Sequence, residues 1–423
     1  MPGPCTYTAQ RLLAFIVLCG LSCAHARPIA PSQPIAAPAA AAQAAELGLA
    51  QSIPQGLPLR DPALPTAAEV WRELFRGART HIEMEQFYVQ SDAGEALAPI
   101  LDELQAAAGR GVRVRIVLST ALRHNDRETQ ERLKAVPGIE VRYLDLSRRT
   151  GGIVHAKYLL IDDELLYIGS QNFDWRSLSQ IHELGVRIRS AALAAQLARI
   201  FALDWELAAA DPQSQAPPPA PVAAAPLAAA PLATEQDVEL VASPPPLLPT
   251  GTRPAIEALV ELLREARHSV SVQLLKYSPF VHRTKEPWLV IDRELRAAAG
   301  RGVNVQLLVS NWNTTQPAIA HLKELTQVPG IAVRIVNIPE LQGRFIPHAR
   351  VIHSKYLIVD ERILWLGTAN WEPEMFLGSR NVELIIRRPA VARQGARIFQ
   401  TLWSSPYAVP VDPQKEYTPP RIK

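Results

Sequence analysis

The segment "HAKYLLID" at 155–162 returns, almost unchanged, as "HSKYLIVD" at 353–360. In an extended strand, side chains two positions apart leave on the same face. His155 and Lys157 therefore share one face, and Tyr158 and Leu160 take the other. Asp162 is an odd number of positions from His155 and falls out of step with it. It enters the turn "DDE", where a carboxylate is suited to accepting backbone N–H bonds. The chain comes back as "LLYIG" and delivers Ser170 and Asn172, again two apart. In the second copy His353, Lys355, Asp360, Thr368 and Asn370 stand at the same spacings. The shared pattern, H-x-K-x4-D-x6-G-[S/T]-x-N, arises by chance about once in ten million start positions at average composition. Two occurrences in one chain are not an accident.

The repetition extends outward. "AAAGRGVRVRIVLS" (106–119) matches "AAAGRGVNVQLLVS" (297–310), and "VPGIEVRYLD" (136–145) matches "VPGIAVRIVN" (328–337). The order is the same in both halves, so the chain is a tandem duplication of two domain-sized units. Each unit alternates helix and strand. Val70, Leu74 and Phe75 mark an amphipathic helix, followed by the strand "HIEMEQFYV". Leu97, Ile100, Leu101 and Leu104 mark a second helix that stops at "GRG", and "VRVRIVL" and "IEVRYLD" read as strands. The expected fold class is α/β: two tandem βα repeats forming a pseudo-twofold, intramolecular dimer with one shared active site. The sheets are expected to be largely parallel and covered on both faces, with the site at the carboxyl ends of strands.

Composition sets the flanks. The chain has 423 residues, 48% of them apolar, and a net charge of only +3, so it is globular and not marked by charge as a nucleic-acid binder. Residues 1–26 read as a signal peptide: Arg11, the apolar run "LLAFIVLCGL", then "AHA", with cleavage after Ala26. An uncleaved anchor is the rival reading, and "GLSC" is a poor lipoprotein site. Cys5, Cys19 and Cys23, the only cysteines, all lie in this segment, which leaves no thiol chemistry to the rest of the chain. The destination expected is export, periplasmic or secreted in a bacterium. Pro/Ala-rich composition makes 27–60 a spacer and 211–250 a linker. The repeats are bounded at 61–210 and 251–410, and 411–423 is a tail.

Two imidazoles, two ammonium groups and two amides suit phosphoryl transfer without a metal or other cofactor. Lys157, Lys355, Asn172 and Asn370 can surround the non-bridging oxygens of a phosphodiester, with the hydroxyls of Ser170 and Thr368 beside them. One histidine attacks in line and becomes a phosphohistidine; the other protonates the leaving alcohol and then activates water. Each octapeptide is thus half of one site. The Arg148–Arg149 pair is a further candidate contact for an anion. Phe173, Trp175, Trp312, Phe345 and Trp371 lie near these segments, and burial is the favoured reading for most. His81, His124, His182, His268, His282, His321 and His348 lack a repeated pattern and are assigned structural or solvated roles.

These motifs resemble those of the phospholipase D superfamily, over about residues 61–405. The resemblance implies that His155 is the nucleophile and His353 the general acid. It also implies that Glu183 in "IHELGV" and Glu383 in "NVELII" orient the imidazoles, although Ile181 replaces the usual asparagine two before Glu183. The second half is similar to a narrower branch that includes lysosomal 5′-exonucleases and viral-envelope members. Three function classes follow: a phosphodiesterase acting on phospholipid, placed slightly ahead; a 5′-exonuclease on single-stranded nucleic acid; and a binding module without activity. A phosphatidyl transferase of the cardiolipin synthase type differs from the first only in the accepting alcohol. A dead module would have lost a histidine or lysine from one copy, and neither copy has. The implied partner is the phosphodiester substrate, with transient membrane-surface contact if that substrate is lipid, and no obligatory protein partner is indicated.

Overall fold

The computed structural model describes residues 46–209 and 237–423; the expected signal peptide, most of the spacer and the tract 211–236 lie outside the described residues. In the first repeat the sheet strands are β1 (Glu46–Ser52), β2 (His81–Gln86), β3 (Arg113–Ser119), β4 (Ile139–Leu144), β5 (Tyr158–Ile161), β6 (Leu165–Gly169) and β7 (Glu183–Arg189). Their order across the sheet is β1-β7-β6-β5-β2-β3-β4. Helices α1 (Ala67–Gly77), α2 (Ala98–Gly109), α3 (Arg127–Lys134) and α4 (Ala191–Ala209) pack on it. The second repeat has strands β8 (Val238–Ser243), β9 (Arg253–Pro254), β10 (Ser269–Leu274), β11 (Asn304–Ser310), β12 (Ile331–Val336), β13 (Lys355–Val359), β14 (Ile363–Gly367), β15 (Asn381–Ile386) and β16 (Ala408–Pro410). They are ordered β9-β8-β15-β14-β13-β10-β11-β12-β16. Its helices are α5 (Ala255–Glu265), α6 (Val290–Gly300), α7 (Ala318–Leu325) and α8 (Pro389–Trp403).

Local chemistry explains the elements. A capping box between Thr66 and Glu69 starts α1, whose buried stripe is Val70, Trp71, Leu74 and Phe75. Gly111, at φ 93°, takes the chain from α2 into β3. The expectation of a largely parallel sheet holds for only part of each repeat. β2, β3 and β4 run parallel, as do β10, β11 and β12, because helices connect them. β5, β6, β7 and β1 are antiparallel. The reason is the short turn: Asp162 and Asp163 both have positive φ (52° and 56°), as have Asp360 and Glu361 (52° and 51°). That geometry closes a tight hairpin and leaves no room for a crossover.

Alternation along β5 and β13 decides the layers. Tyr158 and Leu160 join Tyr356, Ile358 and residues of α4 and α8 in one core shared by both repeats. Leu159 and Ile161 belong to an outer core with α1 and α2, and Leu357 and Val359 to its counterpart with α5, α6 and α7. Each such buried side chain contributes roughly 1.5–3 kcal/mol. The octapeptides are therefore held at the centre, covered on both sides.

The domain limits shift. The expected spacer ends at β1, the expected linker contains β8, and the tail is packed: Val411 is buried and Tyr417 lies against the second repeat's core. Leu47/Leu49 and Val238/Leu240 carry strand alternation that the Ala- and Pro-rich surroundings mask. Both strands matter to the site, since Ser52 pairs with Glu183 and Ser243 with Asn381.

Candidate active site

Each histidine sits on a stretch laced to the opposite repeat. The His155 N–H donates to the Arg380 carbonyl (2.9 Å), and the Arg380 N–H to the Ile153 carbonyl (2.9 Å). On the other side, the His353 N–H donates to the His182 carbonyl (2.9 Å), and the His182 N–H to the Val351 carbonyl (3.0 Å). His155 and Lys157 precede β5 and do not lie within it as expected. Gly152 makes the close crossing near His155 possible: a Cβ there would lie 2.1 Å from the carbonyl carbon of Gly378.

The imidazoles are anchored crosswise. His155 Nδ1 is 3.0 Å from Asn381 Oδ1, and His353 Nδ1 is 2.9 Å from Glu183 Oε2. Both rings thus expend Nδ1 on the other repeat and present Nε2 to the site. Asn381 Oδ1 also accepts from Thr368 Oγ1 (2.9 Å), while its amide donates to the Met375 carbonyl (2.8 Å). The amide orientation, and with it the Nδ1–H form of His155, follows from this network. Thr368 and Ser170, expected to face phosphate, are bonded elsewhere: Thr368 to Asn381 Oδ1, and Ser170 to the backbone carbonyl and N–H of Leu184 (3.2 Å each).

Glu383 departs from its expected role. It contacts no histidine; the Ala369 N–H donates to it (3.3 Å), and burial pushes its carboxyl up to about 8. Asn381, two residues earlier on β15, occupies the place beside the imidazole. Gly367 allows Glu383 to pass: a Cβ there would fall 2.2 Å from Glu383 Cγ. Asp162 and Asp360 are likewise outside the site, at the far end of the hairpins. Asp162 accepts from the N–H groups of Arg79 (2.8 Å), Thr80 (2.8 Å) and His81 (3.1 Å). Asp360 accepts from those of Arg267 (2.9 Å), His268 (2.7 Å) and Ser269 (2.8 Å).

The remaining groups do converge. His155 and His353 are 5% and 7% exposed, and Lys157 and Lys355 each 1%. Lys157 Nζ donates to the His155 carbonyl, while Lys355 Nζ and the carbonyl oxygens of Asn172 and Asn370 are buried with no hydrogen-bond partner among the described residues. Unpaired buried polar atoms are costly and mark the place of a ligand. Burial, Lys157 and Lys355 hold His155 well below the ordinary imidazole value. Burial brings His353 down to about 4 despite Glu183, and Lys355 down to about 7. Burial and Lys355 also hold Lys157 well below the ordinary ammonium range. An entering anion reverses these shifts, so the site is built for negative charge. Phe87, not anticipated from sequence, walls the His155 side with its ring centroid 5.2 Å from the imidazole. Arg148 and Arg149 are exposed, and Phe173, Trp175 and Trp371 are buried. Among the described residues, no three His, Cys, Asp or Glu side chains are grouped to hold a metal ion.

The family described as "Cardiolipin synthase, PLD-like domain" matches residues 72–205 and 259–403, one segment for each histidine. The chain belongs to the phospholipase D superfamily. A 5′-3′ exonuclease of Bos taurus is 32% identical over 401 residues, covering 87% of this chain and 81% of its own. A probable phospholipase D of Caenorhabditis elegans is 29% identical over 390 residues, covering 85% of this chain and 70% of its own. Among solved structures, a phosphatidylserine synthase of Haemophilus influenzae superposes with a TM-score of 0.59 at 13% identity, covering 81% of this chain and 84% of that one. That likeness bears on the fold alone. The superfamily machinery in this chain is that of a phosphodiesterase.

Proposed function

We propose that this phosphodiesterase is a 5′-3′ exonuclease on single-stranded nucleic acid, acting through a phosphohistidine on His155. The observation that carries the chemistry is the crosswise anchoring of the two imidazoles. With its Nδ1–H held by a neutral amide, His155 offers a lone pair at Nε2 to phosphorus. The bond from phosphorus to the leaving alcohol breaks and its electron pair stays on oxygen, which takes a proton from His353 Nε2. Glu183, a carboxylate on the other nitrogen of His353, favours the imidazolium needed for that step. Neutral His353 then takes a proton from water, the hydroxide attacks phosphorus, and the P–N electron pair returns to His155. Lys157 and Lys355 stabilise the charge throughout.

Sequence alone placed phospholipid slightly ahead; two points support nucleic acid instead. Relatives bearing the exonuclease name are 32% identical across 87% of this chain. Exposed large apolar side chains among the described residues are Val290, Leu377 and Val409, on three different elements, which offers a lipid surface little to bind. The reading includes export, with cleavage after Ala26 placing the enzyme in the periplasm or outside the cell, which N-terminal sequencing of exported protein checks.

The test sets a single-stranded oligonucleotide against a phosphatidylglycerol dispersion, using unmodified protein, His155→Ala and His353→Ala. Stepwise shortening from the 5′ end, absent with His155→Ala, is expected. Release of head group, or its exchange onto an added alcohol, with the oligonucleotide left intact would return the assignment to lipid.

A further inference from the structure

The two halves of the site are not equivalent, and the difference lies behind His155. Arg380 is completely buried and bonded at every face of its guanidinium: Nε to Asp204 Oδ2 (2.6 Å), Nη2 to Asp204 Oδ1 (2.8 Å), Nη1 to the Ser243 carbonyl (2.7 Å) and Nη2 to the Leu247 carbonyl (2.8 Å). Asp204 comes from α4 of the first repeat, so the pair ties the two repeats together. Behind it stands Glu85 of β2, which accepts from the Tyr158 hydroxyl (2.8 Å). Burial and the Asp204 charge keep the Glu85 carboxyl well above the ordinary carboxylate range.

Among the described residues no buried Arg–Asp pair stands in the equivalent place behind His353. Aligning "RIFALDW" (199–205) with "RIFQTLW" (397–403) puts Leu402 opposite Asp204, and "SQIHEL" with "SRNVEL" puts Gln180 opposite Arg380. The counterpart of Glu85–Tyr158 is the neutral pair Gln273–Tyr356, with Tyr356 donating to Gln273 Oε1 (2.8 Å). A buried ion pair of this sort adds little stability over an apolar replacement, while removing one partner is disruptive, so stability alone does not account for it.

What it fixes is specific. The peptide groups of Arg380 bracket residues 153–155, and the very next side chain, Asn381, holds His155 Nδ1. We propose that the Asp204–Arg380 pair is a positioning device for the His155 half-site: it sets Asn381, and through Asn381 the Nδ1–H form of the imidazole, so that attack on phosphorus falls to this histidine. The inference rests on the reading of His155 as nucleophile.

The double variant Asp204→Leu/Arg380→Gln imports the neutral pair of the other repeat. Single-turnover formation of phosphohistidine from a p-nitrophenyl phosphodiester, whose leaving group needs no proton, reports the attack step alone. The expected result is a rate lowered by roughly a hundredfold, together with 15N shifts of the His155 ring showing mixed tautomers, in a protein whose circular dichroism is native. An undiminished rate with the ring held in one tautomer would overturn the positioning role. If the double variant does not fold, Arg380→Lys, which keeps the charge but loses the paired bonds, is expected to show both effects to a smaller degree. Native values of both in that variant would overturn it as well. Absence of an adduct on His155 in the unmodified protein counts against the nucleophile assignment; an adduct there, formed at full rate in the variants, counts against the positioning role only.

Discussion

Glu183→Gln isolates the task of the second histidine. The substitution preserves shape and a hydrogen bond to His353 Nδ1 but removes the carboxylate 2.9 Å away. Glu183 raises both His353, at about 4, and Lys355, at about 7, so its loss drives both further towards neutrality. Neutral His353 with its proton on Nδ1 has none to give at Nε2. A hydrogen bond to a charged partner is worth roughly 1.5–3 kcal/mol, which corresponds to about a 10- to 100-fold loss in kcat/KM when the leaving group is an alkoxide. With p-nitrophenolate leaving, the first turnover needs no acid, so the burst rate is expected to fall only through the weakened charge of Lys355, and by less than the alkyl-ester rate. Stopped-flow bursts on the aryl ester and steady-state rates on an alkyl ester measure the two. Equal losses on both would refute the division of labour, because Glu183 would then act on the attack step.

Other outcomes follow from the same geometry. The pH profile of kcat/KM is expected to be acidic. His155 must be neutral to attack and is held below its ordinary value, while Lys355 loses its proton as pH rises through about 7; titrating the rate from pH 4 to 9 should show decline on the alkaline side, and a maximum near pH 9 would contradict it. Asp162→Ala and Asp360→Ala should cost about 1–3 kcal/mol each in stability, read by denaturant melts, through loss of backbone acceptors far from the chemistry, with kcat in the folded fraction unchanged. Both carboxyls are held below the ordinary range by those backbone N–H bonds. Their contribution is therefore present above that range and lost as pH falls through their folded values, so the variants should lose less stability on acidification than the unmodified protein. Activity should persist in EDTA because lysines and amides supply the charge stabilisation; loss restored by one divalent ion would contradict this.

The repeat, its helices and the histidine–lysine pairs were legible because they depend on periodicity and on a spacing short enough to sit on one hairpin. What the sequence concealed depends on contacts between distant segments. Glu383 matched the motif but is held by the Ala369 peptide, while Asn381 two positions before it reaches His155. One signal was visible: the first copy has Ile181 where the second has Asn381. β1 and β8 were hidden because strand alternation of only a few residues disappears in Ala- and Pro-rich flanks. Arg380 and Asp204 stand far apart in the chain, and neither has a repeated pattern.

That asymmetry bears on why two copies share one chain. A single repeat contains an imidazole and an ammonium but no acceptor for its own Nδ1, since Glu183 serves His353 and Asn381 serves His155. Separated halves would each expose an unanchored histidine and lose the shared core of α4 and α8. An identical pair could supply the acceptors reciprocally, yet it would give both histidines the same neighbour. Fusion lets the two sides diverge: an amide beside a buried ion pair behind His155, and a carboxylate behind His353. A chain whose halves need not be identical can build the difference between the two histidines into the protein itself, where an identical pair would take it from the bound substrate.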